Sequence, residues 1–123
     1  MEMNLVNWFE IPVTDMTRAR KFYSSVFGQE LSEANMPGIE MAMFPWIQGA
    51  PNTAGCLIKS EFLQPSPNAT AVYFMCNDVA ETAKKIEENG GKIITPKYSL
   101  GDWGFAGHFL DSEGNRMGLH SVK

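Results

Sequence analysis

The sequence predicts an α+β fold built from two tandem βαβββ modules, and three observations support this prediction. Each half opens with strand-like alternation of apolar residues and continues with an apolar stripe at helical spacing. After each helical stripe the pattern returns to short strands. The two halves repeat at an offset of 63 residues, which places Asp15 on Asp78 and Gly28 on Gly91. The predicted modules are residues 1–63 and 64–123 of one compact domain.

Composition excludes several classes of protein and partner. The 123 residues are 44% hydrophobic and 20% charged, which is ordinary for a globular domain and too apolar for a disordered chain. The chain has ten Lys and Arg residues but fourteen Asp and Glu residues, so it lacks the basic surface that nucleic acid binding requires. No apolar run approaches the ~20 residues needed to cross a bilayer. We therefore expect neither nucleic acid nor membrane as a partner.

The beginning of the chain and its cysteines bear on location. Residues Met1–Val13 include Glu2 and Glu10 but no Lys or Arg, which predicts that they are not a signal peptide. Two cysteines, Cys56 and Cys76, are too few for a disulfide framework. We expect a cytoplasmic protein in which both thiols are reduced.

The first module has clear start and stop signals. Apolar and polar residues alternate over Leu5–Val13, which indicates a strand. Thr14 and Asp15 supply a helix N-cap, and a helical stripe follows from Met16 to Phe27. Gly28 suits the position that ends such a helix. Further strands are predicted at Gln29–Glu33, Gly38–Phe44 and Thr53–Lys59.

The second module repeats this order. A strand begins near Ala69, and Asp78 with Glu81 forms a capping-box pattern at the start of a helix that Asn89 and the two glycines after it end. Further strands are predicted at Lys92–Thr95, Gly104–Leu110 and Asn115–Ser121, with a turn between the last two. A ferredoxin-like fold would need another helix before its last strand. The sequence predicts none after Gly91, which weakens that alternative.

Two motifs carry a family resemblance. The stretch Trp8–Asp15 (WFEIPVTD), followed by Phe22–Gly28 (FYSSVFG), opens the chain, and Asp111–Leu119 (DSEGNRMGL) closes it. Together with the repeat, they resemble the vicinal oxygen chelate superfamily of glyoxalases, bleomycin resistance proteins and extradiol dioxygenases, in particular its glyoxalase-related proteins. The resemblance implies that each module curls into half of an open barrel. The eight strands would then form an open barrel-like sheet with both helices outside.

The resemblance also implies where a metal would be held. Metal enzymes of this superfamily place ligands on the first and last strand of each module, and the matching positions here are Trp8, Gly55, Ala71 and Gly118. None of these side chains offers a lone pair, whereas a divalent site needs three or more N, O or S donors. We therefore expect neither a metal nor another cofactor. Glu10 and His120, two residues away, are the displaced positions that could still supply donors.

Strand alternation divides the remaining side chains between two faces. The set predicted to lie under the helices is Phe9, Ile11, Val13, Val72, Phe74 and Cys76. The set predicted to face the cavity is Trp8, Glu10, Pro12, Ala71, Tyr73 and Met75.

A pocket follows from this division. His120 shares the cavity face of Gly118, and a tight closing turn would place His108 opposite that glycine. Trp46 and Trp103 lie on loops that could form a rim. The predicted ligand pocket consists of Trp8, Glu10, Tyr73, Trp103, His108 and His120. Glu10 is the candidate catalytic residue, because a carboxylate inside an aromatic pocket is suited to general acid–base work.

Three functions remain open from the sequence. The first is a metal-free protein that binds a small molecule in an aromatic-lined cavity. The second is a lyase or isomerase of the glyoxalase-related type, which would use Glu10 with a histidine or a metal at displaced positions. The third is an interaction module without a ligand, in which Trp8 and its neighbours fill the barrel. We also expect a symmetric homodimer, in which the modules pair within one chain or are exchanged between chains.

Overall fold

A computed structural model describes residues 2–123 and confirms the α+β class. The first half contains β1 (Glu10–Pro12), α1 (Met16–Phe27), β2 (Ser32–Glu33), β3 (Glu40–Met43) and β4 (Cys56–Lys59). The second half contains β5 (Tyr73–Met75), α2 (Val79–Glu88), β6 (Lys92–Ser99), β7 (Phe105–Leu110) and β8 (Arg116–Ser121). A three-residue 3-10 helix, Gly101–Trp103, connects β6 to β7.

The strands form two four-stranded mixed sheets. The strand order is β1-β4-β3-β2 in the first sheet and β5-β8-β7-β6 in the second. In each sheet the first strand of the half runs parallel to the last, while the other pairs are antiparallel. The helices lie on one side of their sheets and contact each other. The longest helix has twelve residues, and no helix in the described chain is long and apolar enough to cross a membrane.

Both helix boundaries confirm the local signals in the sequence. The Asp15 carboxylate accepts a hydrogen bond from the Arg18 backbone N–H at 3.0 Å, and that of Asp78 accepts one from Ala80 at 2.9 Å. Gly28 ends α1 with φ of 70°, a conformation that glycine adopts without steric cost, and donates its N–H to Ser24.

Strand lengths differ from the sequence-based expectation. The predicted strand Leu5–Val13 is too long, because the register with β4 covers only Glu10–Pro12 and the backbone hydrogen bonds to β4 reach no further than Phe9 and Val13. In contrast, β6 runs on to Ser99 through Pro96, which an edge strand tolerates because one side of its backbone has no partner strand. The expectation of no helix after Gly91 was wrong in one respect, since the 3-10 helix supplies a single turn there.

The core lies between the helices and the sheets. Ile11 and Val13 are buried, and Phe9, Val72, Phe74 and Cys76 pack against the core while partly exposed, as predicted for the helix-facing set. The largest fully buried side chains are those of Tyr23, Phe22 and Phe109. Tyr23 and Phe22 come from α1 and Phe109 from β7, so one apolar cluster spans both halves.

The closing turn, Asp111–Asn115, ties the end of the chain to its first half. The Tyr23 hydroxyl donates to the Asp111 carboxylate at 2.6 Å. The Asn115 side chain donates to the Pro12 carbonyl oxygen at 2.7 Å. These hydrogen bonds join residues that are 88 and 103 positions apart in the chain. The turn therefore fixes the second sheet against β1 and α1.

Glu113 makes the strongest part of this connection. Its carboxylate accepts hydrogen bonds from the backbone N–H groups of Thr14 and Asp15 at 2.9 and 2.8 Å and from Arg18 Nε at 2.7 Å. The side chain is fully shielded from solvent. Burial raises the pKa of this carboxyl, but the hydrogen bonds from Arg18, Asp15 and Thr14 outweigh it and lower the pKa to about 2. A buried, ionised carboxylate therefore caps the start of α1 from the other half.

Candidate functional site

A cavity of about 740 Å³ opens where the end of β3 and the loop after it meet β5. Its lining combines apolar side chains with polar ones, among them Asn4, Gln29, Asn52 and His120. The aromatic lining residues are Phe9, Phe44, Trp46, Tyr73 and Phe74, and Met75 adds a flexible apolar wall.

The base of the cavity is a cluster of three phenylalanines. The Phe9 ring centroid lies 5.8 Å from that of Phe44 and 6.2 Å from that of Phe74. Phe9 can take this position only because residue 55 is glycine: a Cβ on Gly55 would come within 2.6 Å of Phe9 Cγ. Gly55 thus permits the close approach of the aromatic floor to β4.

Tyr73 covers the position of Gly118. The two residues are partners in the β5–β8 pairing, and a Cβ on Gly118 would overlap the Tyr73 ring. The Tyr73 hydroxyl oxygen lies 2.7 Å from His108 Nε2. His108 pairs with Gly118 across the hairpin of β7 and β8, which is the register that a tight closing turn allows. Gly118 therefore leaves room for a Tyr73–His108 pair on this face of the second sheet.

His108 sits among aromatic neighbours. Its ring lies 5.6 Å from that of Tyr73 and 5.7 Å from that of Tyr98, measured between centroids. Burial lowers the pKa of His108, and the positive charge of Arg116 lowers it further. Within residues 2–123, the buried Nδ1 atom has no hydrogen-bond partner. The imidazole is therefore neutral at pH 7 and engaged on one side only.

His120 and Trp103 form a second contact on the same sheet. His120 Nε2 donates to the Trp103 carbonyl oxygen at 2.7 Å. This bond anchors the 3-10 helix beside the end of β8, while the Trp103 indole is 79% exposed. His120 lines the cavity, whereas Trp103 stands outside its lining.

Trp8 and Glu10 lie apart from this group. Glu10 is exposed and pairs in register with Cys56, in the first sheet. In the part of the chain described here, it makes no hydrogen bond to either histidine or to Tyr73. Trp8 is 39% exposed. Of the six predicted pocket residues, the structure thus brings Tyr73 and His120 to the cavity and places His108 against Tyr73.

Sequence reasoning missed the aromatic floor. Phe9 and Phe74 do face the helices, as alternation predicts, but they also reach the cavity where the two sheets meet. The loop of residues 45–53 supplies much of the remaining wall, and Trp46, predicted from the prolines and glycine around it to lie on a rim loop, is part of the lining.

The residues present do not fit the metal site of the superfamily. The strand register makes Cys56, rather than Gly55, the counterpart of Gly118, because Glu10 pairs with Cys56 and Tyr73 with Gly118. Cys56 offers one thiol, whose pKa is raised to about 11 by burial and then by the charge of Glu10, and a single thiol falls short of the three or more donors that a divalent site needs. No group of three or more His, Cys, Asp or Glu side chains among residues 2–123 could hold an ion.

Comparison with known proteins places the chain in a family. Residues 5–119 match the model of the Glyoxalase/Bleomycin resistance protein/Dioxygenase superfamily, and the chain belongs to this superfamily. CFP32 from Mycobacterium tuberculosis is 28% identical over 126 residues, which cover 92% of this chain and 44% of CFP32. This chain thus spans less than half the length of that curated relative.

Solved structures share the fold. Glyoxalase I from Zea mays superposes with a TM-score of 0.74 at 24% identity, over 94% of this chain and 45% of the maize chain. TnmS3, an antibiotic binding protein from Streptomyces sp. CB03234, superposes with a TM-score of 0.71 at 23% identity, over 100% of this chain and 99% of its own. These likenesses establish the fold.

Proposed function

We propose that the protein binds a small molecule, without a metal, in the aromatic-lined cavity beside β5. The observation that carries this proposal is the cavity itself, whose volume of about 740 Å³ suits a small organic ligand. Ligand sites typically measure roughly 300–1,000 Å³ and combine apolar walls with a few polar groups. Phe9, Phe44 and Trp46 supply the apolar walls here, and Tyr73 and His120 supply polar groups.

The side chains at the superfamily's metal-ligand positions support the proposal that the site works without a metal. Three positions that would carry ligands hold Trp8, Ala71 and Gly118, and the room at Gly118 is taken by the Tyr73 ring. TnmS3, an antibiotic binding protein whose structure matches this chain over nearly its full length, supports a binding role. A protein of this kind holds its ligand by shape and apolar contact rather than by coordination.

The proposal includes the assembly and location of the protein. The modules 1–63 and 64–123 would pair so that the two open sheets form the barrel-like surface around the ligand. Two copies would associate as a symmetric homodimer in the cytoplasm. Apolar side chains outside the cavity lining, such as those of Leu5 and Phe62, support self-association, because each is more than half exposed and a second copy would shield them.

The competing functions have less support. A lyase or isomerase would need Glu10 to exchange a proton with a histidine, yet His108 Nε2 faces Tyr73 and His120 Nε2 donates to Trp103. A metal at displaced positions would need more donors than Glu10 and His120 provide. An interaction module without a ligand would be expected to have a filled interior, and the open cavity argues against it.

Binding of a fluorescent naphthyl ketone, 6-propionyl-2-(dimethylamino)naphthalene, tests the proposal. We expect saturable binding with one site per chain and a blue-shifted emission, because the probe leaves water for an aromatic wall. Trp46→Ala should weaken the affinity about tenfold, as expected when a large aromatic contact is lost. Trp103→Ala is the matched control, since this exposed side chain lies outside the cavity lining, and it should leave the affinity unchanged. Absence of saturable binding, or equal losses in both variants, would contradict the proposal.

A further inference from the structure

The Tyr73–His108 pair joins a residue of the cavity lining to one outside it. The Tyr73 ring is held over Gly118, and its hydroxyl oxygen lies 2.7 Å from His108 Nε2. Tyr73 lines the cavity and is 52% exposed. His108 Nδ1 is buried and, within residues 2–123, has no partner.

The unpartnered nitrogen determines where the imidazole proton lies. A neutral imidazole carries its proton on one ring nitrogen only. Placing it on Nδ1 would bury an N–H group without an acceptor, which folded proteins very rarely do, whereas an unpaired acceptor is better tolerated. The proton therefore belongs on Nε2, which donates to the Tyr73 hydroxyl oxygen. That bond occupies Tyr73 as an acceptor and leaves its own O–H free to donate.

We propose that the Tyr73 hydroxyl is the polar anchor of the site and donates a hydrogen bond to a carbonyl oxygen of an otherwise apolar, aromatic ligand. This inference rests on the proposed function and specifies the class of molecule that the cavity takes. His108 is a positioning residue, because it orients the Tyr73 hydroxyl without touching the ligand. Ketones, quinones and esters all present the required acceptor oxygen.

The surroundings favour an acceptor over a donor on the ligand. Phe74 and Met75 follow Tyr73 in β5, line the cavity and offer no hydrogen bond from their side chains. His120 on β8, which lines the cavity, already donates through Nε2 to Trp103. The positive charge of Arg116 on the same strand also favours partial negative charge at a ligand oxygen. A buried O–H without an acceptor is costly, so a ligand lacking oxygen at this point should bind less well.

Nitrogen NMR of the imidazole tests the tautomer without any ligand. In protein labelled with ¹⁵N-histidine at pH 7, the signals lost in His108→Asn identify His108. We expect the chemical shifts and couplings of a neutral ring protonated on Nε2. A ring protonated on Nδ1, or on both nitrogens, would overturn the proposed orientation of Tyr73.

Two matched probes test the ligand class. 2-Acetonaphthone and 2-ethylnaphthalene have the same skeleton, and only the first carries a carbonyl oxygen. The ketone should bind roughly fivefold to tenfold more tightly, as one hydrogen bond predicts. Tyr73→Phe, which keeps the ring over Gly118, should abolish this preference. Tyr98→Phe, whose ring also contacts His108, is the matched control and should retain it.

The outcomes separate this inference from the proposed function. Equal binding of both probes to the native protein would overturn the inference and leave a small-molecule site in place. A preference for the ketone that survives in Tyr73→Phe would also overturn it. Failure of both probes to bind would reject the inference and the proposed function together.

Discussion

Replacing Glu113 with alanine is expected to lower the free energy of unfolding by about 2 to 3 kcal/mol, because it leaves several donors without their acceptor. The backbone N–H groups of Thr14 and Asp15 and the Arg18 guanidinium all donate to this carboxylate. Denaturant unfolding followed by circular dichroism measures the change. Glu33→Ala is the matched control, because its ion pair with Arg20 is at the surface, and it should cost less than about 0.5 kcal/mol.

The pH dependence of this difference identifies its cause. The pKa of Glu113 is lowered from 4.5 to about 2, so its contribution to stability is fully present above pH 4.5 and is lost as the pH falls towards 2. The difference between native protein and Glu113→Ala should therefore shrink over that interval. A difference that stays constant from neutral pH to pH 2 would show that the charge of Glu113 does not hold the closing turn.

Replacing Gly118 with alanine is expected to displace Tyr73 from His108. The new Cβ would overlap the Tyr73 ring, so the ring must move or the strands must separate, at a cost of about 1–3 kcal/mol. We also expect about a tenfold loss of affinity for the naphthyl ketone probe, since its anchor and part of the cavity wall move together. Unfolding curves and probe titrations measure the two effects.

A double-mutant cycle separates this clash from other effects of the methyl group. In a Tyr73→Ala background the overlap is gone, so Gly118→Ala should cost less than about 0.5 kcal/mol. The His108 imidazole signals should shift in Gly118→Ala and match those of Tyr73→Ala. Equal costs of Gly118→Ala with and without the Tyr73 side chain would show that the aromatic ring does not occupy this position.

Much of the fold follows from local signals in the sequence. Asp15, Gly28 and Asp78 define helix boundaries through their own side chains or backbone freedom, so they could be identified without knowledge of the tertiary fold. The ends of the strands could not be identified in this way, because a strand extends only as far as the strand it pairs with. The first strand is short since β4 is short, although the alternation begins at Leu5.

The candidate site shows the same division. Alternation correctly placed Phe9 and Phe74 towards the helices, but the closeness of the two halves at the cavity is a tertiary property. The offset of 63 residues assigned Gly55 to the position that Cys56 holds, because the first half has one residue more between the paired strands. The hydrogen bond between Tyr73 and His108 depends on the β7–β8 register, which the sequence leaves open.

Native mass spectrometry of protein purified without chelators, then exposed to manganese, nickel, zinc and ferrous ions, tests whether the site works without a metal. We predict that each chain carries no stoichiometric metal ion, and that an aromatic ketone added afterwards binds once per chain. The same spectrum reports whether two copies associate. Retention of close to one divalent ion per chain, with ketone binding lost when that ion is removed, would contradict this account.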